Sequence, residues 1–252
     1  MREALAGTLI AASFACGGAP ITAAKAPWAP FGQTNQAAVR APACKRPDAG
    51  GVGRWYAIGR TRTADDNGWS GSKVEWEKRG LTVHPAEANN TFILQDLWLT
   101  TEGKDSNCWI EVGDSMGDST DKTVRTYFYA MNSPPGRYGD AKVRGVAFPE
   151  DGAYQSYEIS WWEHGGWALW RAYIGGRLLV NVLHNGPSNS TDSGIESCAN
   201  RNTAQRTAFR NFKVRPWGGD WANWPDPTRS QDAPGRFEWT EGNTAWNSMI
   251  PP

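Results

Sequence analysis

The chain has 252 residues, with 26 basic and 26 acidic side chains and a pI near 6.8. No global basic field is present to hold nucleic acid or an anionic membrane. Fifteen tryptophans, 28 glycines and few long helical patterns point to one large, turn-rich all-β domain.

Arg2 precedes an apolar, small-residue run from Ala4 to about Ala19, and Ile21-Thr22-Ala23-Ala24 offers a small-residue cleavage context. Residues 1–24 therefore read as a cleaved secretory signal, which implies a secreted, extracellular protein. The run is too short for an ordinary membrane span. Lipidation at Cys16 is the alternative. Residues 25–50 are an Ala/Pro/Gly-rich lead-in.

From Gly53 the texture changes. "GRWYAIGRT", "KVEWEKRGLTV", "NNTFILQDLWLTT", "DSNCWIEVGDS" and "KTVRTYFYAMN" read as strands. "PPGRYGD" turns the chain into "AKVRGVAF". Gly165-Gly166 and Gly175-Gly176 then separate apolar runs, predicting a three-strand meander over 157–163, 167–174 and 177–183. Residues 185–197 read as a polar loop, and "TAQRTAFRNFKVRP" as a last strand ended by Pro216. This places the β-sandwich domain at 51–216. In the tail, 217–252, tryptophans lie between Gly, Pro and Asp. Such a segment is expected to clamp Trp rings over a sheet edge rather than form a central strand.

Alternation along the strands puts Trp109, Glu111, Arg125, Tyr127, Tyr129, Trp162, Arg171 and Tyr173 on one mixed face, provided their strands share a sheet. Flat rings with polar tips, a carboxylate and guanidinium groups suit an extracellular polysaccharide or another extended polymer. Sheet propensity and cross-strand pairing explain the same residues without a ligand. His84, His164 and His184 lie far apart, and no Cys-x-x-Cys pair exists, so neither metal nor cofactor is expected. Glu111 and Asp114 are a weak carboxylate pair, since a spacing of three directs them to opposite faces. Asn89 and Asn189 open glycosylation sequons.

"FILQDLWLTTEGKDSNCWIEVGDSMG", "RTYFYAMNSPPGRYGD" and "SYEISWWEHGGWALWRAYIGGRLL" together resemble a group of secreted bacterial proteins with a concanavalin A-like β-sandwich pattern. The same stretch more distantly resembles the glutamic peptidases, which are sandwiches of two antiparallel sheets. The resemblance implies a two-sheet antiparallel jelly roll. It puts Glu111 where the catalytic Gln would stand, and pairs Cys108 with Cys198, leaving Cys44 over. The strand after Cys198, where the catalytic Glu is expected, has no Asp or Glu. The expected function is a monomeric lectin-like module; the alternative is a peptidase-like or glycoside hydrolase using Glu111. A second carboxyl group about 5–10 Å from Glu111 in an open cleft would favour the hydrolase, and an Arg125 or Arg171 partner on a flat aromatic surface the binding module.

Overall fold

The computed structural model describes residues 45–46, 51–52, 55–64, 68–85, 91–101, 108–117, 125–133, 137–143, 152–164, 167–182, 189–199, 201–242 and 244–252. Among these described residues eighteen strands follow in chain order. The first nine are β1 Lys45–Arg46, β2 Gly51–Val52, β3 Trp55–Arg62, β4 Trp69–Glu77, β5 Leu81–Thr82, β6 Ile93–Thr101, β7 Cys108–Met116, β8 Thr126–Ser133 and β9 Arg137–Val143. The meander is β10 Tyr154–His164, β11 Trp167–Ile174 and β12 Arg177–Val182. Then come β13 Ser190–Ser197, β14 Thr203–Pro216, β15 Ala222–Asn223, β16 Thr228–Gln231, β17 Arg236–Trp239 and β18 Trp246–Ile250. The proposed signal segment lies outside the described residues. No helix among the described residues is long and apolar enough to cross a membrane.

Two antiparallel sheets form a β-sandwich. One runs β12-β11-β10-β4-β14-β18-β17, with β5 and β15 also on β14; the other runs β16-β3-β13-β6-β7-β8-β9. Period-two alternation explains which side chains lie between them. Val74, Trp76, Tyr157, Ile159, Trp170 and Ala172 project from the first sheet, and Leu97, Leu99, Ile110, Val112 and Ile195 from the second. Gly175 and Gly176 both take positive φ, as the tight β11–β12 turn requires.

The core also encloses a polar knot. Asp114 is fully buried, and accepts hydrogen bonds from Trp76 Nε1 at 3.2 Å, Tyr157 Oη at 3.3 Å and the Arg125 guanidinium. Arg125 also reaches Gln95 Oε1 at 2.8 Å, and Gln95 donates to Thr207 at 2.6 Å. Burial, then the Asp114 charge, pushes the neighbouring Tyr127 hydroxyl up to about 12.

Three expectations are corrected. Residues 190–197 are not a loop: β13 is a buried interior strand between β3 and β6. Its small polar residues carry no apolar alternation, but its backbone is paired on both sides. Nor is the tail excluded from the sheets, because β18 lies between β14 and β17. Finally, register excludes the Cys108–Cys198 bond. Cys108 pairs with Thr101 at one end of β6, whereas the Cys198 amide donates to the Phe92 carbonyl beyond the other end. At about 3.3 Å per residue these ends are about 30 Å apart, and a disulfide needs Cα atoms within about 7 Å. Peptide mapping under non-reducing conditions should yield no Cys108–Cys198 linked peptide.

Candidate functional site: a buried carboxylate cluster

On the outer face of the seven-stranded sheet, one cross-strand row reads Gly194, Asp96, Gly113. Both glycines are dictated by close approach. A Cβ on Gly113 would fall 2.0 Å from the Gln95 carbonyl oxygen, and one on Gly194 2.3 Å from that of Ala57. The absence of side chains on either side of Asp96 leaves room for its diagonal neighbours. Glu111 comes from the row containing Trp98, and Glu196 from the row containing Leu94. Carboxylate oxygens of Asp96, Glu111 and Glu196 all lie within 4.8 Å of one another. The three residues are at most 3% exposed.

Three ionised carboxylates cannot share so dry a space without protons or a cation. Apart from the neighbouring Glu111 carboxyl, no donor among the described residues reaches either oxygen of Asp96. Burial, then the charges of Glu111 and Glu196, and a hydrogen bond shared with Glu111 hold the Asp96 carboxyl well above its ordinary range. Asp192 adds to this from the next row, where the Arg60 guanidinium grips it in two hydrogen bonds of 2.6 Å. The half-buried rings of Trp98 and Trp109 border the cluster on the same face.

Such a cluster can do two things. Close carboxyls share protons, so that one is neutral while another is charged. The same hard oxygen donors could hold a divalent ion of the Mg²⁺ or Ca²⁺ type. The raised Asp96 pKa has a direct consequence for stability. A folded state that holds this proton more tightly than the unfolded chain is stabilised fully below the unfolded value of about 3.9. That stabilisation is lost as pH rises through the raised folded value. Asp96→Asn should therefore raise Tm at neutral pH and flatten the acid-side Tm profile; thermal melts across pH would measure both.

The predicted mixed face is not a single surface. Glu111 and Trp109 lie on the outer face of the seven-stranded sheet, Glu111 beside the cluster. Tyr127 and Tyr129 turn inward from the same sheet, Tyr127 into the core and Tyr129 against it, while Arg125 ties to Asp114. Trp162, Arg171 and Tyr173 belong to the other sheet, on its outer face, with the Arg171 guanidinium 3.6 Å from the Trp162 ring centroid. Alternation within each strand was legible, but the assumption that all strands share one sheet fails. Glu111 and Asp114 do point to opposite faces, as their spacing requires. Asp96 and Glu196 are not among the residues that alternation places on the mixed face. Asp96 is the one charged residue in β6, and that is the signal that could have found it. Glu196 lies two residues before Cys198, in the segment read as a polar loop.

No family model matches the chain, and no curated protein matches it. Solved structures do. Scytalido-glutamic peptidase with a transition state analog inhibitor aligns with a TM-score of 0.48 at 8% identity, over 77% of this chain and 97% of that one. A tetrameric galectin from the ball sponge Cinachyrella sp. aligns at 0.35 and 11% identity, over 69% and 96%. Bacillus licheniformis β-glucanase aligns at 0.31 and 12% identity, over 75% and 67%. At such identities the likeness is one of sandwich architecture.

Proposed function

We propose that the chain is an acid hydrolase whose Asp96–Glu111–Glu196 cluster activates water against a peptide-type carbonyl. The observation that carries this is the convergence of three buried carboxyls from three adjacent strands. A proton-sharing set supplies an ionised carboxylate to take a proton from water, and a neutral carboxyl to protonate the leaving nitrogen. Peptide bonds are favoured over glycosides by the close spacing. Glycosidase carboxyls stand about 5–5.5 Å or 6.5–9.5 Å apart around a sugar, whereas oxygens of these three all lie within 4.8 Å of one another. A polysaccharide-binding module is less well supported, because its aromatic residues are spread over three surfaces, and Arg125 pairs with Asp114 rather than Glu111.

Incubation with a denatured protein substrate between about pH 2 and 7 should show cleavage confined to the acid side. Cleavage of polysaccharide instead of protein would shift the assignment to a glycosidase. No hydrolysis of either would overturn the proposal.

A further inference from the structure

On the opposite side of the sandwich, the outer face of the nine-stranded sheet carries two cavities of about 470 and 550 Å³. They meet at Asn211 and Lys213, which line both. Asn211 takes positive φ (57°) within the irregular stretch of β14, where the register with β4 shifts between Arg210 and Lys213. One cross-strand row beneath the cavities reads Tyr173, Glu158, Lys73, Lys213, Asn223. Lys73 and Lys213 are thus directly opposite one another, an arrangement that ordinarily destabilises a sheet.

The next row adds Arg171 and Arg215. Among the described residues none of these four cations has an ion pair. Lys73 rests over the Trp221 ring, its Nζ 4.4 Å from the centroid, and Lys213 donates to the Asn223 side chain. Arg171 donates to Asn181 at 3.0 Å, and Arg215 to the Trp161 carbonyl at 2.8 Å. Of the facing carboxylates, Glu75 is bound to Arg210 and Glu77 to Arg79. Glu158, beside Lys73, and Glu241, on the wall of the larger cavity, are left against the four cations. Local charge is therefore positive on a chain of zero net charge.

We propose that this face binds an acidic polysaccharide, with Lys73 and Lys213 gripping a carboxylate or sulfate group in the shared part of the groove. An anion held between the two lysines would offset their repulsion. The aromatic rings argue against nucleic acid. The Arg210 guanidinium lies 3.4 Å from the Tyr154 centroid, and Trp162 and Trp221 are covered by Arg171 and Lys73, which leaves donors where base stacking would need open rings.

Affinity electrophoresis in gels containing alginate, dextran sulfate or uncharged dextran tests the proposal, run at about 0.15 M salt to suppress long-range attraction. Retardation is expected with alginate or dextran sulfate, whichever group the site accepts, and not with dextran. The Lys73→Gln/Lys213→Gln variant should bind about tenfold more weakly, with an unchanged or higher Tm because a repulsive pair is removed. Glu111→Gln should bind like the parent chain, which separates this site from the hydrolytic one. Equal retardation by dextran, no retardation in either anionic gel, undiminished binding by the double variant, or equal retention of single-stranded DNA or polyglutamate would overturn it.

Discussion

Glu111→Gln and Glu196→Gln are each expected to reduce acid hydrolysis by about 10²–10⁴-fold, the usual effect of removing a positioned acid or base. The amide keeps the shape of the side chain and loses its proton chemistry. Because the three carboxyls lie within 4.8 Å of one another and are proposed to act together, the double variant should lose little more than either single one. Both variants should remain folded. Removing one of several buried like charges relieves repulsion, so Tm at neutral pH should hold or rise. Loss of activity without loss of Tm separates chemistry from folding. Full activity in both variants would remove the cluster from the mechanism, and loss of Tm in step with activity would make its role structural.

The parts of this fold that were legible in the sequence are those where apolar alternation and turn glycines coincide. Tyr157, Ile159, Trp170 and Ala172 alternate cleanly, and all four are buried in the core. The hidden parts are those where burial is polar. Ser190 to Ser197 is a completely buried strand containing a single large apolar residue, Ile195. Its stability comes from backbone pairing on both sides and from hydroxyl bonds such as Ser193 to the Asp96 carbonyl at 2.7 Å. Hydrophobic patterning has nothing to detect there. Glu196 was concealed for that reason, and with it the second acid of the site. Asp96 was concealed differently: it lies in a strand recognised at once, but only cross-strand register shows that two glycines flank it.

The second large effect concerns the tail. Trp246→Ala should destabilise the protein by about 3–5 kcal/mol, as expected for deleting a fully buried aromatic side chain. Trp246 has no exposed surface. Its ring stacks on Phe212 at 3.5 Å between centroids and 11° between planes. Phe237, Trp239 and Trp224 close around it at 5.3, 5.4 and 5.8 Å. The ring also crosses to the other sheet, where a Cβ on Gly59 would lie 2.5 Å from it. Gly59 is thus the floor on which the indole rests, and Gly59→Ala should be destabilising in its own right. The indole N–H reaches no acceptor among the described residues, so the contribution of Trp246 is packing, and Trp246→Phe should recover much of the loss. A clamp laid over a sheet edge would behave otherwise, because shortening its aromatic would cost little. Denaturant unfolding of the two variants distinguishes these cases. A Trp246→Ala loss below about 1 kcal/mol, within the ordinary range for surface substitutions, would return the tail to the role of an external strap.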